Sequence, residues 1–178
     1  MEYTFEFDYD EETGLCIIDY ATQEDIDSFT IPKGTRHLHI MGDYIDRIVV
    51  PDGIETVVAC KLGLKEICIP DSVKALYCND NFIKHIELPS SIEVAEIKNN
   101  LLQTLCFRSE PTDIGTLKLS DNSRLRRLDF VFPECLEVLK LKRCYGLEYI
   151  HPSFKNTLAS QDIDPLSAMA TWCQAARP

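Results

Sequence analysis

Apolar residues recur on a fixed schedule along most of the chain. Prolines stand at Pro32, Pro51, Pro70 and Pro89, each 19 residues after the last. Three residues beyond each lies Thr35, Ile54, Val73 or Ile92, and positions are counted from there. Apolar side chains follow at +3 (Leu38, Val57, Leu76, Ala95) and +5 (Ile40, Ala59, Cys78, Ile97). Others return at +10 (Ile45, Leu64, Ile83, Leu102), +13 (Ile48, Ile67, Ile86, Leu105) and +15 (Val50, Ile69, Leu88, Phe107). Two looser copies continue the series. One runs through Ile114, Leu117, Leu119, Asn122, Leu125 and Leu128, the other through Leu136, Leu139, Leu141, Cys144, Leu147 and Ile150. Insertions around 109–113 and 131–132 break the step and predict slightly longer loops there.

Self-similarity at a period of about 20 residues is the mark of a solenoid. The +3/+5 alternation has period two and predicts a short strand with its apolar side inward. Like strands should pair in parallel from repeat to repeat. The remaining apolar positions line a return path too short for a full helix, so it should be extended or 3₁₀. An amide at +8 can satisfy backbone groups where the chain leaves the strand, since a buried corner cannot leave them unpaired. That position reads Asp43, Leu62, Asn81, Asn100, Asn122 and Cys144, so asparagine fills half of it.

The segments VKALYCNDNFI, IEVAEIKNNLL and IGTLKLSDNSRL resemble the leucine-rich repeat, L-x-x-L-x-L-x-x-N-x-L, and the likeness covers about residues 31–152. The short step and the opening Pro-x-x-aliphatic look most like repeats of secreted effectors from enteric bacterial pathogens. IPDSV and LPSSI are also similar to proline-led repeats of amoebae and large DNA viruses. The resemblance implies an α/β leucine-rich-repeat solenoid that works by binding. Such effectors often carry a separate ubiquitin-ligase domain, for which nothing here is long enough. Action in the cytosol of a host cell is the extension that the effector likeness suggests.

A repeat stack needs covered ends. Tyr3, Phe5, Phe7 and Tyr9 alternate with polar residues, then Glu12-Thr13-Gly14 supplies turn chemistry ahead of Leu15–Tyr20, which predicts a β-hairpin over the first edge. Asp164-Pro165 opens a predicted C-terminal helix with Leu166, Met169, Ala170 and Cys173 on one face. The expected organisation is therefore one structural domain: a hairpin cap at 1–30, six repeats at 31–152 and a helical cap at 153–178.

Charge changes the picture only after it is located. The 178-residue chain has a formal charge of −11. Residues 1–30 hold ten acids and no Lys or Arg, and the other 148 carry 18 basic and 19 acidic side chains. The acidity thus belongs to the cap, where it keeps an exposed edge soluble. An acidic protein is a poor coat for nucleic acid or anionic membrane. Neither an 18-residue apolar run nor a basic-then-apolar start is visible, so no span or secretory signal is expected. Eight cysteines without a Cys-x-x-Cys pair, several standing where an aliphatic residue would serve, fit reduced thiols in a cytoplasmic compartment.

With +3 and +5 inward, the +2, +4 and +6 residues face out from what should be a concave sheet. They form two zones. His37, His39, Met41, Val58, Cys60 and Tyr77 make an apolar and aromatic surface, and Lys98, Lys118, Lys140, Lys142 and Arg143 make a cationic one, with Glu96 between them. Exposed apolar groups beside a one-sign patch favour a protein-binding face whose partner offers an apolar and an acidic patch. No catalytic residue, cofactor or metal is expected, and five cations without interleaved aromatics make a thin nucleic-acid footprint. Edge-to-edge dimerisation stays open. The alternative is metal- or thiol-dependent catalysis by Cys60 with His37 and His39, although a zinc site wants three or four well-placed ligands.

Overall fold

A computed structural model describes residues 4–158. The hairpin is formed by β1 (Glu6–Asp10) and β2 (Leu15–Ala21), followed by the short helix α1 (Gln23–Ser28). Each later coil then contributes two strands: β3 (His37–Gly42) and β4 (Arg47–Val49), β5 (Thr56–Val58) and β6 (Glu66–Cys68), β7 (Ala75–Tyr77) and β8 (His85–Leu88). The series ends with β9 (Val94–Glu96) and β10 (Thr104–Phe107), β11 (Thr116–Lys118) and β12 (Arg127–Leu128), β13 (Val138–Lys140) and β14 (Tyr149–Ile150). The odd-numbered strands from β3 join β2 in one parallel sheet, which β1 extends antiparallel, in the order β1-β2-β3-β5-β7-β9-β11-β13. The architecture is a β-solenoid of about seven turns.

The inward rows are those the period predicts. Register aligns Cys16, Leu38, Val57, Leu76, Ala95, Leu117 and Leu139 across the main sheet, and all are buried. The return path is extended, as expected, and pairs as three two-stranded parallel sheets, β4-β6, β8-β10 and β12-β14. Within it Ile48, Ile67, Ile86, Leu105 and Leu128 point into the core.

Helix is scarcer than an α/β label implies. Over the described residues it is limited to the six residues of α1 and a five-residue 3₁₀ segment at Pro152–Asn156. A coil of 19 residues that already forms two strands and two corners has too little chain left for a helix. The predicted C-terminal helix at 165–176 lies outside the described residues.

The hairpin does more than cover an edge. Its second strand pairs in parallel with β3, Leu15 facing His37, and so forms a coil of its own. That coil has no return strand. Thr22 caps α1, with its hydroxyl and backbone N–H both held by the Asp25 carboxylate. Gln23 then turns its amide onto the open edge of β4, donating to the Arg47 carbonyl (3.0 Å) and accepting from the Arg47 N–H (2.9 Å). One side chain imitates a strand partner. Gly42 is required where β3 passes the end of β2, because a Cβ there would sit 2.2 Å from the Ala21 carbonyl oxygen.

Three devices repeat from coil to coil. The first is the proline turn: the N–H of Thr35, Val73 and Ile92 each donates to the carbonyl of the proline three residues earlier at 3.3 Å. Pro111 and Pro133 stand in the same place before Ile114 and Leu136, and the Leu136 N–H donates to the Pro133 carbonyl at 3.1 Å, so the proline recurs in all six copies despite the broken step. The second is a left-handed residue at +7, with φ between 51° and 66° at Lys61, Asp80, Asn99, Asp121 and Arg143. The third is the amide ladder. Asn122 accepts from Leu102 N–H (3.1 Å) and donates to the carbonyls of Ile97 and Leu119 (both 2.8 Å). Asn81 and Asn100 act alike, binding the N–H groups of Leu64 and Ile83.

Where the ladder lacks asparagine, the backbone or sulfur takes over. The Ile45 N–H donates to the carbonyl of Leu62 (2.9 Å), and Cys144 Sγ donates to the carbonyl of Leu119 (3.1 Å). The two insertions widen the last coils, and aromatic rings fill them. Phe107, Phe130, Phe132 and Phe154 follow one another with centroids 4.7, 4.4 and 5.4 Å apart. Arg108, at the first insertion, reaches back two coils to the Ile69 carbonyl and the Asp71 carboxylate, and lies 3.4 Å from Glu87.

Candidate functional site

Strand register builds the outward face one row at a time. Ile17, His39, Val58, Tyr77, Glu96, Lys118 and Lys140 are successive neighbours across the main sheet. A second row runs Leu15, His37, Thr56, Ala75, Val94, Thr116 and Val138. Adjacent strands lie about 4.8 Å apart, so each side chain leans on the next. All members of both rows are half-buried, whereas Met41, Lys142 and Arg143 at the corner are exposed.

The apolar end is chemically quiet. Burial lowers the His39 pKa, and the neighbouring His37 lowers it further, so its imidazole holds a proton less readily than usual. Cys60 donates to the Tyr77 carbonyl (3.5 Å), and burial pushes its thiol pKa up. A raised thiol makes a poor nucleophile. Register sets His39 opposite Val58 and leaves Cys60 beyond the end of β5, so the two histidines share a strand face without Cys60 opposite them. Among the described residues no group of three or more His, Cys, Asp or Glu is placed to hold a metal ion.

The charged end is more neutral than its lysines suggest. Glu96 lies 2.6 Å from Lys118 and 3.3 Å from Lys98. Burial pushes the Glu96 carboxyl up, but hydrogen bonds from Lys118 and Lys98 outweigh it, and the net shift is downward. Arg143 is paired with Asp121, whose pKa falls chiefly through that hydrogen bond. The surface is therefore an ion-pair network, with Lys142 exposed at its corner, rather than a bare cationic patch. Sequence reasoning placed Glu96 on the face but could not see it as the shared partner of two lysines, one of them 22 residues away.

Of the +7 corner, only Arg143 was anticipated as part of this face. The corner's signal was available: Asp80-Asn81, Asn99-Asn100 and Asp121-Asn122 repeat a pair whose first member tolerates the left-handed region. On the return side an open cleft of about 1090 Å³ is lined by Thr104, Cys106, Arg124, Arg126 and Arg127 among others. Two of its cations are paired, Arg126 with Glu148 (2.6 Å) and Arg127 with Asp129 (2.9 Å), while the Arg127 guanidinium also lies over the Tyr149 ring.

Cys78 and Cys144 are buried in the positions where an aliphatic and a ladder residue were expected, Cys16 is buried in the hairpin cap, and the seven described cysteines are free thiols. Among the described residues no helix is long and apolar enough to cross a membrane. No family model, curated protein or solved structure matches the chain.

Proposed function

We propose that this chain is a non-catalytic protein-recognition domain that reads its partner with the outward face of the main sheet. The observation that carries the reading is one continuous row, in which His39, Val58 and Tyr77 run into Glu96, Lys118 and Lys140. An apolar, aromatic centre beside a charged border is the composition of protein interfaces. The partner matches it with an apolar patch over Val58 and Tyr77 and acidic groups toward Lys140 and Lys142.

Assignment to the leucine-rich repeats is supported by the asparagine ladder, and the proline-led turn supports a short, effector-like subclass. A reducing, cytoplasmic setting is supported by the seven described cysteines being unpaired thiols, three of them in the core. If the chain is an effector, that setting is a host cytosol.

The test is a cross-linking pull-down from cytosol with three full-length proteins: native, Tyr77→Asp, and Lys140→Glu with Lys142→Glu. Glu66→Lys on the return side serves as control, since Glu66 is exposed there. Partners lost from both face variants and kept by the control are the expected result. Capture of every partner unchanged by both variants refutes the assignment of this face.

A further inference from the structure

Among the described residues, the first coil leaves part of the core incompletely covered. Where α1 and residues 29–31 replace the return strand of the first coil, they leave an apolar cavity of about 320 Å³. Its floor is made by Ile18, Leu38, Ile40 and Ile48, all buried, and its walls include Phe29 and Val49. Val49 is 60% exposed at the mouth. The cause is topological. The Gln23 amide satisfies the edge of β4 at one residue, but a single side chain cannot supply the inward apolar residue that a return strand would have placed here.

The surroundings carry a definite sign. Ile26, which also lines the cavity, has Glu24, Asp25 and Asp27 beside it on α1, and Asp52 follows the lining residue Pro51. Asp25 is committed to the capping box, and Asp27 accepts from Gln23. The nearby cations are Lys33, just beyond this segment, and Arg47, whose side chain lies 3.8 Å from Glu66. The first 30 residues add seven further acids and no base.

We infer that this cavity is a docking site for one aliphatic side chain of a cationic peptide segment, a leucine or isoleucine flanked by lysine or arginine. Its volume is at the lower end of the small-molecule range, enough for such an anchor, and its lining is mostly apolar. The acidic surroundings attract and orient the flanking cations, and that attraction weakens with salt. None of the lining residues belongs to the outward rows of the main sheet. The site is therefore a second contact point, independent of the proposed recognition face.

The test is fluorescence anisotropy with a labelled synthetic peptide, a central Leu-Leu pair with two lysines on each side, against the full-length protein. The native chain should bind it, and Val49→Phe, which plugs the mouth from an exposed strand position, should weaken binding about tenfold or more. Replacing the leucines by alanine should do the same. Glu24→Gln with Asp52→Asn should lower the affinity and flatten its salt dependence. Equal binding to native and Val49→Phe proteins overturns the proposal, as does equal binding of the alanine peptide, which would reduce the effect to bulk attraction by the acidic cap. Two other occupants are read in the same experiment. A shift in the emission of Trp172, the one tryptophan, on Val49→Phe substitution would assign the cavity to this chain's own C-terminal segment. A fall in sedimentation mass would assign it to a second copy. Either result refutes the cationic-peptide assignment.

Discussion

Replacing Asn122 by leucine, the residue that already stands at the equivalent position 62, should strongly destabilise the solenoid. Asn122 is fully buried and serves three backbone groups. In Asn122→Leu the Leu102 N–H and the Ile97 carbonyl lose their amide partner, while the Leu119 carbonyl keeps the Cys144 thiol. An orphaned buried group costs about 1–3 kcal/mol, so two cost about 2–6. Added apolar burial offsets about 1–2 kcal/mol of this, which leaves about 3. With a urea slope of about 1–3 kcal/mol per molar, the unfolding midpoint should drop by about 1–3 M. Leu62 escapes the penalty because its corner is wired differently, the Ile45 N–H being taken by the Leu62 backbone carbonyl. The reverse change, Leu62→Asn, therefore finds no vacant ladder and should also destabilise, by about 1–3 kcal/mol. Hydrogen exchange at the Leu102 amide gives a local readout. A midpoint for Asn122→Leu within the equivalent of about 0.5 kcal/mol of native, with Leu102 exchange unchanged, would refute the assignment of these bonds to the ladder.

Three further outcomes follow from single contacts. Lys61 holds φ at 61° without the local hydrogen bonding that makes asparagine comfortable there, so Lys61→Asn should raise Tm by about 1–3 °C in calorimetry, and a lower Tm would contradict the strain assigned to it. The His39 pKa is held below 6.5 by burial and then by His37, so protons bind the unfolded chain more tightly. Its contribution to stability is complete above that value and is lost as pH falls through it; the urea midpoint should decline between about pH 7.5 and 5.5, with a shallower decline in His39→Gln, and identical slopes would exclude His39 as the source. Arg108→Ala removes a bridge across two coils, but the side chain is 37% exposed and screened by solvent, so a loss of about 1 kcal/mol in urea titration is expected, and no loss would mean that the bridge contributes nothing.

The inward rows were legible because burial imposes period two on a strand, and Leu38, Val57 and Leu76 obey it without exception. The rows of the outward face followed from the same period, since one register fixes both sides. What was hidden depended on side-chain reach. Glu96 meets Lys118 across 22 residues, and Arg108 meets Asp71 across 37, so no local pattern announces either pair. The coil built on β2 was hidden for another reason. It carries no leading proline and its return leg is α1, so neither the 19-residue step nor the +13 position marks it. Pro111 and Pro133 fall off the 19-residue step because the corner chemistry tolerates added residues on the return leg. Asp43 and Leu62 read as gaps in the ladder. They are corners with a different backbone path, as the positive φ of Tyr44 and Gly63 records.

The three recurring devices have a consequence for how such a chain can change its size. Residues 70–88 begin at a proline turn, pass a left-handed corner and a ladder amide, and stop just before the next proline. Their links to the preceding coil are of the same kind as those that the following coil makes to them. A gene could copy or excise this stretch as one block, and the flanking coils would meet through bonds that they already know how to make. The molecule would lengthen or shorten by about 4.8 Å, one strand spacing. Removal of a single residue between +3 and +10 would instead turn core side chains toward water. Growth by whole increments is thus tolerated where the smallest edit is not.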